Sequence, residues 1–267
     1  MLFRSVALAA MNYMIWIKGI MLPLASVLVL TLTIYVSYMA YGYLFESRSK
    51  RQFTDLFGQY VPPELVSKMA EDPQKYNMTG RKETLTVLFS DVVGFTSISE
   101  RLNPQDLAQF INEYLTTMSM AIRNTGGTLD KYIGDAIMAF WGGPVANSEH
   151  ATQGVKAALV MQEKVLELQK IFIARGWPSI SIGIGLSTGE MTVGDMGSQV
   201  RRAYTVMGDA VNLGSRLEGI TRQYAVGILV AEETARAAQG IVFCEIDLVR
   251  DRKSTRLNSR HRCISYA

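Results

Sequence analysis

From residue 82 onward the chain alternates apolar runs of strand length with longer stretches whose apolar residues recur at helical spacing. "LTVLFS" (85–90) predicts a buried strand. Asn103 and Pro104 predict an N-cap and a first-turn proline, opening a helix with Leu107, Phe110, Ile111, Leu115, Met118 and Ile122 on one face and ending at "NTGG". "TLDKYIGDAIMAFWG" predicts two short strands turning at Ile133-Gly134-Asp135. A long helix from about 148 to 174 follows, then a strand in "ISIGIGLSTG", a turn at 194–197 and a strand around 204–207. A helix over 209–224 and a strand in "VGILVA" come next. Helices covering a sheet are expected, with no internal repeat.

The N-terminal pattern is of another kind. No charged residue occurs between Gly19 and Phe45, which predicts a membrane span over about 20–45. Tyr35, Tyr38, Tyr41 and Tyr43 cluster in its second half, as interface aromatics do. The apolar piece 5–17 is shorter and reads as a partial span, so residues 1–45 form a transmembrane helix or helical hairpin. Arg48, Lys50 and Arg51 follow directly, which by the positive-inside tendency puts everything beyond them in the cytoplasm. The expected location is thus the inner cell membrane with a cytoplasmic domain. Residues 46–81 read as a helical linker. Its Phe53, Leu56 and Phe57 cannot be buried by one helix alone, so a parallel partner and a homodimer are expected.

Composition narrows the function. At 267 residues and 48% hydrophobic content there is room for one sizeable core plus accessory segments. The net charge is +3, but Arg252, Lys253, Arg256, Arg260 and Arg262 against Asp251 place +4 in residues 251–267, leaving −1 for residues 1–250. A nearly neutral body argues against a nucleic-acid partner. Two cysteines without CxxC or Cys/His spacing exclude a disulfide framework and a zinc site of that kind.

Three stretches carry candidate chemistry. In "TVLFSDVVGFTSISE" the buried run ends on Asp91, and a carboxylate there is costly unless paired or bound to a cation. Ser97 and Glu100 stand in capping-box spacing, so a helix start with exposed N–H groups is expected a few residues on, with Gly94 admitting a phosphate closely. Asp135, in a tight turn, is a second carboxylate that could share divalent cations held against a triphosphate, though such an aspartate is also ordinary turn chemistry. In "MGDAVNLGSRLEG", Asn212 and Arg216 are i and i+4 on one helix face, while Ala210, Leu213, Leu217 and Ile220 form the packing face. That pair could steady a phosphoryl transition state or simply be a solvated face.

"VLFSDVVGFTSISE", "GGTLDKYIGDAIMAFWGGP", "GIGLSTGEMTVGDMGS" and "YTVMGDAVNLGSRLEG", in this order, closely resemble the catalytic domain of class III nucleotide cyclases, from about Glu83 to Arg250. The upstream part resembles bacterial receptor adenylate cyclases with an extracytoplasmic CHASE2 sensor, which implies that Met1 begins inside the membrane region of a longer protein. The resemblance implies an α+β, ferredoxin-like sandwich over residues 82–250, its mostly antiparallel sheet covered by helices. It implies that Asp91 and Asp135 hold two Mg²⁺ or Mn²⁺ ions per site, with the Val92 carbonyl as a further ligand, and that Gly94, Phe95 and Thr96 receive phosphates. Lys131 and Thr205 match the pair that reads the purine, and a lysine with a threonine implies adenine, hence ATP. Guanylate cyclases typically place glutamate and cysteine there. Asn212 and Arg216 match the transition-state pair. In this family one protomer supplies the metal aspartates and the other Lys131, Thr205, Asn212 and Arg216, so the implied enzyme is a homodimeric adenylate cyclase making cyclic AMP.

One departure stands out. Where the family continues into a lysine-bearing segment and a closing strand, this chain reads "DRKSTRLNSRHRCISYA", so 251–267 is expected to be a non-native tail without that strand. The alternative reading is therefore a catalytically inactive cyclase-like module for regulation or dimerisation. A diguanylate cyclase would need a GG(D/E)EF-like turn in place of "YIGDAIM", and none is present.

Overall fold

The computed structural model describes residues 13, 17, 27–41, 80–198, 202–250 and 260–265. It divides into two units, Met1–Gln52 and Phe53–Ala267. In the first, residues 27–41 are helical and exposed throughout, and the Thr31 and Thr33 hydroxyls donate to the carbonyls of Val27 and Val29 four residues back. Among the described residues no helix is long and apolar enough to cross a membrane. The ends of the expected span over 20–45, the partial span at 5–17 apart from residues 13 and 17, and the linker up to residue 79 lie outside the described residues.

The second unit is built on an eight-stranded sheet ordered β2-β3-β1-β4-β6-β8-β7, with β5 paired to β4. Its strands are β1 (Arg81–Val92), β2 (Thr128–Ile133), β3 (Ala136–Trp141), β4 (Ile182–Gly197), β5 (Arg202–Met207), β6 (Ile228–Ala231), β7 (Cys244–Arg250) and β8 (Arg260–Ser265). Its helices are α1 (Phe95–Arg101), α2 (Pro104–Asn124), α3 (His150–Ala174), α4 (Asp209–Tyr224) and α5 (Glu232–Ala237). The β4–β6 pair is parallel and the other described pairings are antiparallel, as an α+β sandwich requires.

Both faces of the central strands are covered, which is why β1 reads as a continuous apolar run. Leu88 and Val92 join Phe110, Tyr114 and Met118 of α2 and Val155, Met161 and Phe172 of α3 in one cluster. Leu85 and Val87 face the other way, toward Met138, Phe140, Tyr204 and Val206. The repeat "IGIG" in β4 alternates by the same rule. Ile182 and Ile184 enter the α2–α3 cluster, while Gly183 and Gly185 lie under α4. A Cβ on Gly185 would stand 2.2 Å from the Glu218 amide nitrogen and 2.3 Å from the Gly214 carbonyl oxygen, so only glycine lets α4 sit this close to the sheet. Helix α2 starts as expected, with the Asn103 side chain accepting from the Gln105 and Asp106 amides at 3.1 and 2.9 Å and Pro104 in its first turn.

Four expectations are corrected. The turn placed at 194–197 is strand, because β5 pairs with β4 from Thr192↔Met207 to Gly197↔Arg202 and carries it onward. Helix α1 opens at Phe95 on Gly94, whose φ of 72° suits glycine, so Ser97 and Glu100 lie inside the helix and form no capping box. Strand β1 begins at Arg81, within the stretch assigned to the linker. The closing strand is present as well: Arg260–Ser265 pairs antiparallel with β7 and with β6 at Val230 and Ala231. Those strands expose backbone donors and acceptors on that side, and backbone pairing makes little demand on side-chain identity.

Candidate active site

Asp91 is the penultimate residue of β1 and pairs across the ladder with Gly183. Its Oδ2 accepts from Arg222 Nη2 at 3.2 Å, and the same nitrogen donates to the Val92 carbonyl at 3.3 Å. Asp135 lies in the β2–β3 turn beside Gly134, whose φ is 67°. The Val92 amide donates to Asp135 Oδ2 at 3.3 Å, which holds the second carboxylate against the end of β1. Burial, and then a hydrogen bond with Asp91 and repulsion from its charge, raise Asp135 to about 6. Glu218 of α4 is also raised, by burial first and then by Asp91, with Arg222 pulling against them.

The end of β1 is thus a concentration of negative charge with one guanidinium seated on it. Two carboxylates and a carbonyl suit a hard divalent cation, and Arg222 already rests a positive group on two of these three ligands. Among the described residues no group of three or more His, Cys, Asp or Glu side chains could hold a metal.

A second group forms where β2 meets β5. Lys131 Nζ lies 3.4 Å from Thr205 Oγ1 and 3.4 Å from Asp130 Oδ1, and the Thr205 hydroxyl donates to Asp130 Oδ2. Asp130 is 3% exposed. Burial pushes its carboxyl up from the ordinary aspartate value, while the Thr205 hydrogen bond and the Lys131 charge oppose that rise. Neighbours in a regular strand point to opposite faces. Here the β2–β3 register shifts between Leu129 and Lys131, and the bulge lets Asp130 and Lys131 meet one hydroxyl.

Asn212 and Arg216 are both exposed on α4. The α4 side chain that reaches Asp91 is Arg222, six residues past Arg216 and about 9 Å further along the helix axis. Gly94 and Thr96 are exposed and Phe95 half-buried at the start of α1, and the Ser97 and Ile98 amides both turn back to the Gly94 carbonyl. The candidate residues therefore gather in four places: Asp91 with Val92 and Asp135, Gly94 with Phe95 and Thr96 at the start of α1, Lys131 with Thr205, and Asn212 with Arg216.

The family model for the adenylate and guanylate cyclase catalytic domain matches residues 78–267. The chain belongs to that family. This cyclase domain is 38% identical over 192 residues to an adenylate cyclase of Anabaena cylindrica, an alignment covering 68% of this chain and 36% of that protein. The chain thus spans about a third of that curated relative's length. The structure of the adenylyl cyclase CyaB from P. aeruginosa superposes with a TM-score of 0.65 at 32% identity, covering 70% of this chain and 95% of the other. The guanylyl cyclase Cya2 gives 0.61 at 31% identity, covering 70% and 92%. Overall similarity therefore leaves the choice of purine to individual side chains.

Three residues of this cyclase domain escaped the sequence reading: Asp130, Glu218 and Arg222. Asp130 had a signal, since it is an acidic residue inside the stretch "TLDKYI" that the sequence predicts as a strand. Arg222 had none, because its partner Asp91 is 131 residues away in the chain.

Proposed function

We propose that the chain is a membrane-held adenylate cyclase that converts ATP to 3′,5′-cyclic AMP and pyrophosphate at sites shared between two copies. The observation that carries this reading is the contact of Lys131 with Thr205, an ammonium beside a hydroxyl, which complements the N1 acceptor and 6-amino donor of adenine. In the reaction the ribose 3′-oxygen forms a bond to the α-phosphorus in line, the bond to the β-phosphate oxygen breaks, pyrophosphate leaves and the 3′-hydroxyl proton passes to solvent. Asp91, Asp135 and the Val92 carbonyl would hold Mg²⁺ or Mn²⁺, two per site. Such ions supply Lewis-acid stabilisation of the attacking oxygen and the phosphates. Gly94, Phe95 and Thr96 turn backbone toward the phosphates. Arg216 offsets negative charge that grows on the α-phosphoryl group, and Asn212 orients the ribose beside it.

Sharing between copies is supported by α4, which brings Arg222 rather than Arg216 to its own Asp91. Tyr132, Ile133 and Met207, near the purine pair, are 45%, 57% and 57% exposed, as apolar residues awaiting a partner would be. A membrane location is supported by the exposed apolar helix 27–41 and the basic residues that follow it. The direct test is incubation of the full chain with ATP and Mn²⁺, with GTP in parallel. Cyclic AMP in excess of cyclic GMP is expected, and no product from a folded, dimeric chain would favour an inactive module.

Arg222 competes with any metal for Asp91 and Val92. Replacing Arg222 with alanine is expected to tighten Mn²⁺ binding about fivefold, since removing a half-exposed positive charge at this range is worth about 1 kcal/mol. Calorimetric titration of the chain with Mn²⁺ alone measures this, and an unchanged or weaker affinity would refute the competition.

A further inference from the structure

We propose that Asp130 is a positioning residue that sets purine choice by orienting the Thr205 hydroxyl. This rests on the reading of Lys131 and Thr205 as the purine-contacting pair. A threonine hydroxyl has one hydrogen and two lone pairs, and a free one rotates to serve as donor or acceptor. At Thr205 that freedom is spent. Its hydrogen goes to Asp130 Oδ2, and Lys131 Nζ approaches the oxygen at 3.4 Å, taking one lone pair. One lone pair remains for the substrate.

A lone pair accepts from the 6-amino group of adenine and repels the 6-oxo group of guanine. An ionised carboxylate can only accept, so Asp130 cannot turn the hydroxyl round. Burial of Asp130 excludes the water that would otherwise compete for the hydroxyl hydrogen. The bulge between Leu129 and Lys131 places the carboxylate, and the β4–β5 hairpin brings Thr205 to it from 75 residues away. Asp130 would act without touching the nucleotide, through a neighbour that does.

The test is a double-mutant cycle on the full chain, with kcat/KM measured for ATP and GTP in the unaltered protein, Asp130→Ala, Thr205→Val and the double variant. Asp130→Ala frees the hydroxyl and is expected to lower the ATP:GTP ratio about tenfold, the worth of one oriented hydrogen bond. In the Thr205→Val background, which has no hydroxyl to orient, the same change should move the ratio less than twofold. Equal changes in both backgrounds would overturn the proposal, placing the effect in Lys131 or in packing, and an unchanged ratio in Asp130→Ala would do so too. Asp130→Leu removes the acceptor while filling the space, and provides the same comparison if the alanine variant does not fold. A further arm needs no change at Asp130. Purine riboside triphosphate keeps N1 and lacks the 6-amino group, and should be used about tenfold less well than ATP by the unaltered chain and equally well by Thr205→Val. Equal use by the unaltered chain would refute an accepting Thr205. No cyclic product from either nucleotide with the unaltered chain would instead defeat the cyclase reading on which the proposal stands.

Discussion

Replacing Asp91 with alanine is expected to lower cyclic AMP formation by more than about 10³-fold while the protein stays folded. The carboxylate faces both Arg222 and Asp135, and a metal shell built on Asp135 and a carbonyl alone would lack half its protein charge. The fold should survive, because residue 91 pairs with Gly183 through its backbone and its side chain is 29% exposed. A circular dichroism melt beside the cyclase assay separates loss of chemistry from loss of structure. Activity above a tenth of the unaltered level would mean that Asp91 is merely an ion-pair partner of Arg222.

Arg216→Ala is expected to reduce kcat and kcat/KM together by about 10²–10³-fold, as for a contact made only in the transition state. Its exposed place on α4 means the melting temperature should hardly move. The same variant tests the shared site. If Asp91 and Arg216 of one site come from different copies, a mixture of Asp91→Ala and Arg216→Ala proteins forms heterodimers in which one of two sites is intact. Random pairing makes half the dimers mixed, so recovery of about a quarter of the unaltered activity is expected. Two inactive proteins that stay inactive when mixed and shown to exchange subunits would place both residues in one copy.

Much of the fold was legible locally. The cap at Asn103, the periodic faces of α2 and α4, and the alternation in β4 depend on neighbours within a few residues, and each element formed near its predicted place. The errors came where the deciding contact was distant. Glycines at 194 and 197 suggested a turn until pairing with β5 held them in strand. Ser97 and Glu100 had capping-box spacing, but β1 ended early enough for Gly94 to start the helix. Residues 260–265 were expected to contribute no closing strand, yet they lie inside the span the family model matches and pair through their backbone with β6 and β7.

The same division runs through the site. Residue type and spacing alone marked Asp91 at a strand end, Asp135 in a turn, and Asn212 with Arg216 on one helix face, because a costly charge or an i, i+4 pair is visible locally. The tertiary structure alone decided that Arg222 rests on Asp91 and that the Thr205 hydroxyl donates to Asp130. The first arises because glycines in β4 let α4 lie close to the sheet, and the second because a bulge turns one strand residue toward a distant hairpin. Register and close approach are properties of paired elements, and no single segment contains them.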